Sequence, residues 1–342
     1  MRLSEIQGNE GVKRALTGMV DEGKIPHAIL FHEDDGGGAV PLCVAFLQYL
    51  FCQRRSDSDA CGTCPSCNKI AKLIHPDVHF VYPVTGGSLI PSSAKPTALS
   101  YVKEWRELVL AHPYFTERDL NEALGIEGKT ALISVAEARE ILGRLSFHSL
   151  EGGWRAIVVY LPEKMNAEAA NRLLKSIEEP PERTLFLLVT HAPEKVLPTI
   201  SSRCQRIRLV PVPHTDAQMR AEEQEERELA VALLDAIVGR DLSSALETGE
   251  AIAALPSRGR IKSWLSYASR LLRNVFLTQQ GLDSLVGASE TEQEDARRYA
   301  SQLKRSYTRS VLPFLDRSAM LVERNVNAKI VLCDLVNKMF MS

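Results

Sequence analysis

Residues 171–209 read NRLLKSIEEPPERTLFLLVTHAPEKVLPTISSRCQRIRL, and the order of elements within them decides the fold. Ala169, Ala170, Leu173, Leu174 and Ile177 recur at three- and four-residue intervals, which gives a helix one apolar stripe to bury. Pro180 and Pro181 stop that helix, because proline brings no amide hydrogen and its ring clashes with the preceding turn. Leu185-Phe186-Leu187-Leu188-Val189 is apolar without alternation, the pattern of a strand covered on both faces of a parallel sheet. A loop carrying Ser202-Arg203-Cys204 follows, and Gln205–Leu209 reads as a last short strand.

Upstream, Val12, Ala15, Leu16, Met19 and Val20 give residues 10–22 a helical face, and Ala28-Ile29-Leu30-Phe31 reads as a buried strand. Next comes EDDGGGAVPLCVAFLQYLFC, a glycine-rich turn opening an apolar helix. Strand, glycine turn and helix make the setting of a phosphate-binding loop, whose working form needs a lysine for the phosphates and a Ser or Thr for Mg²⁺. Here those two places hold Ala39 and Val40, and Glu33 stands at the first glycine position. Glu33, Asp34 and Asp35 also put negative charge where a polyanion would come. Gly36, Gly37 and Gly38 therefore read as a folding turn rather than an ATP site.

Taken together, LLK-x-x-EEPP, the apolar strand and Ser-Arg-Cys resemble the clamp-loader branch of the AAA+ ATPases. His75-Pro76-Asp77 and the stretch ISVAEAREIL (residues 133–142) resemble the same family. In its active members the strand ending near residue 160 delivers an adjacent Asp-Glu pair for Mg²⁺ and the attacking water. This chain runs Ile157-Val158-Val159-Tyr160 into Leu161-Pro162-Glu163-Lys164, so Glu163 has no acidic neighbour and reads as a solvated surface carboxylate. Both halves of a hydrolysis site are missing. The resemblance implies instead that Arg203, flanked by Ser202 and Cys204, reaches the γ-phosphate of ATP held by a neighbouring subunit. Guanidinium suits that task through its permanent charge and planar fork. Thr190 falls at a sensor position that lacks a nucleotide to sense.

Cys52, Cys61, Cys64 and Cys67 are spaced C-x8-C-x2-C-x2-C. Two-residue gaps aim paired thiolates at a common ion, and four thiolates complete a closed, structural Zn²⁺ site. Free thiols or disulfides are the alternative. Cys43 and Cys333 fall on helices and read as small core residues, and His75, His79 and His112 show no ligand-like pairing. Gly, Ser and Pro make Thr85–Thr97 a loop, and Val102, Trp105, Leu108 and Val109 give Leu99–Ala111 the face of an amphipathic helix. The resembled family often has only a brief connection here, which implies that roughly 85–130 is an insertion of unassigned role.

Past Pro211-Val212-Pro213 the composition turns helical. Expected helices span Met219–Ile237, Leu242–Leu255, Ile261–Leu277, 291–311 and Ala319–Met339, with Gly239 and Gly249 as punctuation. The basic residues Arg297, Arg298, Lys304, Arg305 and Arg309 would share the 291–311 helix as a solvated face. The expected fold class is thus α/β. The resemblance implies an AAA+ (RecA-like) parallel-sheet domain over 1–212 with a zinc module at 52–67, followed by a helical lid over 213–257 and a helical collar over 258–342.

The net charge of −2 shows no global basic field, which argues against a lone zinc-dependent nucleic-acid binder. No apolar run approaches the ~18 residues that cross a bilayer, and the N-terminus lacks the plan of a secretory signal, so the expected location is the cytoplasm. The implied partners are gamma/tau-like ATPase subunits and a delta-like subunit in a five-subunit ring, with the sliding clamp and, through the complex, primed DNA. The implied role is non-hydrolysing, with no ATP bound by this chain. An active ATPase subunit of the same loader is the rival, disfavoured by the missing lysine and acidic pair.

Overall fold

The computed structural model describes residues 1–33, 35–56, 58–86, 95–127, 129–210, 217–286, 289–324 and 326–342. Asp34, most of the expected Thr85–Thr97 loop and the Pro211-Val212-Pro213 linker lie outside the described residues. Contacts divide the chain into two compact units, Met1–Val212 and Pro213–Ser342.

In the first unit the order is α1 (Glu10–Asp21), β1 (Ala28–His32), α2 (Ala39–Phe51), α3 (Pro65–Ala71), β2 (Val78–Val81), α4 (Val102–Ala111) and α5 (Glu117–Ala123). It continues with α6 (Val135–Leu145), β3 (Arg155–Tyr160), α7 (Ala167–Glu178), β4 (Thr184–Thr190), α8 (Pro198–Ser201) and β5 (Gln205–Arg208). The strands form one sheet in the order β2-β3-β4-β1-β5. Every pairing is parallel. This is the α/β parallel sheet with flanking helices that the sequence motifs imply. All seven residues of β4 are buried because helices cover both faces. Leu185, Leu187 and Val189 point into the core shared with α2, whereas Phe186 and Leu188 point into the core shared with α6 and α7. Helix α7 stops at Glu178, just ahead of the proline pair.

The 95–127 segment joins the first of these cores. Trp105, 1% exposed, stacks on Tyr82 with ring centroids 4.3 Å apart and meets Phe115 edge-on at 5.4 Å. Leu120, Leu124 and Ile126 complete the contact, so this insertion is a folded part of the domain.

The second unit contains α9 (Ala217–Val238), α10 (Leu242–Ala253), α11 (Arg258–Gln279), α12 (Glu290–Gln302), α13 (Arg305–Glu323) and α14 (Ala328–Met341) around one core. Four expectations are corrected here. The helix expected over 291–311 breaks at Leu303, where Gln279 Nε2 donates to the Ala300 and Leu303 carbonyls at 3.2 and 2.8 Å and so satisfies the end of α12. Arg297 and Arg298 are thereby separated from Arg305 and Arg309. The helix expected over Ala319–Met339 is likewise two, because Asn327 caps the amides of Lys329 and Ile330 and starts α14 afresh. Gly249 is not punctuation. It lies inside α10, where a Cβ would stand 2.8 Å from Val336 Cγ2, so glycine is what lets α10 approach α14. Cys43 is fully buried as expected, but Cys333 is exposed rather than a core residue. Among the described residues no helix is long and apolar enough to cross a membrane.

Because Trp105 carries the insertion into the core, Trp105→Ala should lower the unfolding free energy of the first unit by about 3–5 kcal/mol. Urea denaturation followed by circular dichroism measures this, and a loss below about 1 kcal/mol would show the insertion to be peripheral.

Candidate functional site

The glycine turn after β1 leads straight into α2. Gly36 and Gly38 take φ of 80° and 94°, and Gly38 forms the N-cap of α2. The first amides of a helix have no intrahelical partner and carry the positive end of its dipole, which makes them a natural anion seat. Here a carboxylate of the chain itself takes that seat. Glu33, 4% exposed, accepts the Ala39 amide on Oε2 at 2.6 Å. Its charge was legible in the sequence, but its occupation of the phosphate position was not.

His191, at the end of β4, stands between the two acids of the loop. Its Nε2 lies 3.7 Å from Glu33 Oε1, and its Nδ1 lies 3.4 Å from Asp35 Oδ1. Burial pushes the imidazole pKa down, but the Asp35 and Glu33 carboxylates, joined by Glu163, outweigh it and raise it to about 9. Burial in turn pushes the Glu33 carboxyl above the usual carboxylate range, opposed by His191 and by the Ala39 amide. Sequence reading passed over His191, since a histidine after an apolar strand has no spacing signature. Adjacency of β1 to β4 is what creates the contact.

Glu163 is not the solvated carboxylate expected. It is partly buried and accepts the Thr190 hydroxyl at 2.8 Å and the His191 amide at 3.1 Å. A short turn at Pro162–Lys164 brings it across the end of β4. Thr190, expected at a sensor position, thus donates to a carboxylate of the chain itself. The insertion closes over the loop: the Glu117 amide donates to Asp35 Oδ1 at 2.9 Å, and Lys164 pairs with Glu117 at 2.8 Å. The Tyr114 ring lies so close to Gly38 that a Cβ there would stand 2.7 Å from Cε1.

Ser202 and Arg203 are exposed on the turn between α8 and β5. Arg203 donates to the Thr199 carbonyl at 2.7 Å and pairs with Glu178 at the end of α7. Cys204 is half-buried, its thiol donates to the Ile200 carbonyl at 3.3 Å, and burial pushes its pKa up to about 11. It reads as a structural thiol.

The four cysteines of the C-x8-C-x2-C-x2-C run converge, with all four sulfurs within 4.8 Å of one another. Cys61 and Cys67 Sγ are 3.9 Å apart, matching the ~3.8 Å edge of a tetrahedron built on 2.3 Å metal–sulfur bonds. Backbone amides point at the sulfurs, among them Cys61 N to Cys52 Sγ at 3.3 Å and Cys64 N to Cys61 Sγ at 3.4 Å. Amides of Thr63 and Cys64 hold the Cys61 thiol down at about 5. This donor set fits one metal ion. Gln48, on α2, donates to the Cys67 carbonyl at 3.0 Å and ties the module to the domain.

The raised His191 pKa has a sign that can be tested. Stability from its charge is fully present below about pH 6.5 and is lost as pH rises through about 9. His191→Gln should remove that alkaline decline and cost on the order of 3 kcal/mol at pH 7, by leaving two acids without their counter-charge. Urea titrations at a series of pH values measure both. Parallel pH profiles for the two proteins would contradict the assignment.

A family profile described as "DNA polymerase III, delta subunit" matches residues 8–213. A Yersinia pestis protein named DNA polymerase III subunit delta' is 32% identical over 193 residues, covering 56% of this chain and 44% of the relative. The subunit delta' of Bacillus subtilis is 25% identical over 214 residues, covering 63% of this chain and 51% of the relative. A Mycobacterium bovis protein named DNA polymerase III subunit gamma/tau is 28% identical over 210 residues, 61% of this chain and 29% of the relative. The chain therefore spans about half or less of the length of the curated relatives it matches. Since the profile covers more than half of it, the chain belongs to the DNA polymerase III delta-subunit family, alongside relatives that bear the name delta'.

Proposed function

We propose that this chain is a non-hydrolysing subunit of the DNA polymerase III clamp loader, which helps load the sliding clamp onto primed DNA. The observation that carries the reading is the Glu33 carboxylate on the Ala39 amide, in the place a phosphate would need. With no lysine after the glycine turn and no acidic pair at the end of β3, the chain has neither the groups that hold a triphosphate nor those that activate water. Catalysis then belongs to gamma/tau-like neighbours in a five-subunit ring that also holds a delta-like subunit.

Arg203 is this chain's contribution to a neighbour. Its side chain is 38% exposed and hangs from a short turn fixed by α8, so it can leave Glu178 for a polyphosphate across an interface. Residues 213–257 act as lid and 258–342 as the collar through which the ring assembles. Cys52, Cys61, Cys64 and Cys67 hold one Zn²⁺, which clamps the excursion after α2 and does no chemistry, since four thiolates leave no open position.

In a loader reconstituted with its motor subunits, Arg203→Ala should assemble normally yet lower clamp- and DNA-stimulated ATP hydrolysis by at least the share of the one site it faces. An unchanged rate in steady-state assays would remove the trans role. The purified chain should carry one zinc by atomic absorption, and Cys64→Ser should lose it together with the fold of the 52–71 segment. Full-length folding without bound metal in the presence of a strong chelator would overturn the structural-zinc assignment.

A further inference from the structure

Glu33 and the 95–127 insertion both reach the turn that opens α2, Glu33 at Ala39 and Tyr114 at the adjacent Gly38, and that convergence has a consequence for the insertion's role. We infer that they form a built-in plug: an intramolecular carboxylate occupies a phosphate seat that is still competent, and the insertion is the roof that keeps it there. The inference rests on the reading that this chain holds no nucleotide of its own, and adds how exclusion is achieved.

Contacts on three sides of the turn carry it. Glu33 Oε2 takes the Ala39 amide at 2.6 Å, the bond an anion would make at the N-terminus of α2. His191 pairs with the same carboxylate at its other oxygen, Nε2 lying 3.7 Å from Glu33 Oε1, and so holds it in place. The roof is the insertion: Tyr114 lies against Gly38, and its hydroxyl accepts the Gln7 amide at 3.2 Å. The Glu117 amide holds Asp35 from the same side at 2.9 Å. Residues 33–39 and 114–117 are far apart in sequence, so the contact is a product of the fold and not of local turn geometry. Loss of the lysine alone would weaken a phosphate site. A carboxylate in the seat excludes phosphate outright, by occupying the volume and by repulsion.

The test uses inorganic phosphate as the probe on the full chain. Wild type should show no change in melting temperature and no shift of the Ala39 amide resonance up to tens of millimolar phosphate. Glu33→Gly should melt lower, and phosphate should raise its melting temperature and move the Ala39 resonance in a saturable way. If phosphate leaves Glu33→Gly unmoved, the plug is wrong while the nucleotide-free reading stands. If wild type responds as the variant does, both fall. Tyr114→Ala keeps Glu33 and opens only the roof, so it serves if Glu33→Gly does not fold. The Ala39 amide should be protected from hydrogen exchange in wild type and lose at least tenfold protection in Tyr114→Ala, and equal protection in the two would overturn the insertion's role.

Discussion

A single hydrogen bond, from the Ala39 amide to the Glu33 carboxylate, governs how the rest of this molecule can be understood. An uncapped helix N-terminus beneath a parallel sheet is a costly thing to bury, because its amides lose water without gaining a partner. Nucleotide-binding members of such folds meet that cost with a phosphate. This chain meets it with its own side chain, and then requires a counter-charge for the carboxylate it has buried. His191 supplies that charge, and Glu163 fixes the β4 end from which His191 projects. The cluster is therefore a self-contained set of charges at the ends of β1, β3 and β4.

This arrangement accounts for two features that otherwise look arbitrary. The fold itself requires the glycine turn, because Gly36 and Gly38 adopt positive φ and Gly38 has no room for a Cβ under Tyr114. The insertion is kept well packed because its aromatic side chains extend the core of the sheet, with Trp105 bridging Tyr82 and Phe115. Burial of one large aromatic can contribute several kcal/mol, a sizeable part of a domain's net stability. The four-cysteine module is separate in kind. Its sulfurs and aimed amides form a small satellite cluster joined to α2.

Much of this was legible in the sequence where a strong local rule applied. The unbroken apolar run at 185–189 gave a doubly covered strand, the proline pair ended α7, and the cysteine spacing marked a four-sulfur site. What escaped was set by contacts between distant segments. Glu163 looked solvated because its neighbours in sequence offer no partner, yet the parallel register of β3 beside β4 brings Thr190 to it. Gly249 looked like a break because a glycine inside a helix costs stability, and only the closeness of α14 explains it. The breaks at Leu303 and before Ala328 come from capping by Gln279, from another helix, and by Asn327, whose role a continuous apolar pattern hid.

In the proposed function a filled phosphate seat in this chain and an arginine offered outward put fuel and trigger on different subunits, and the chain alone has no place for a nucleotide. Isothermal titration of the isolated wild-type chain with Mg²⁺ and ATP addresses this directly. No saturable heat is expected up to millimolar ATP, and one-to-one binding in the micromolar range would contradict the proposal.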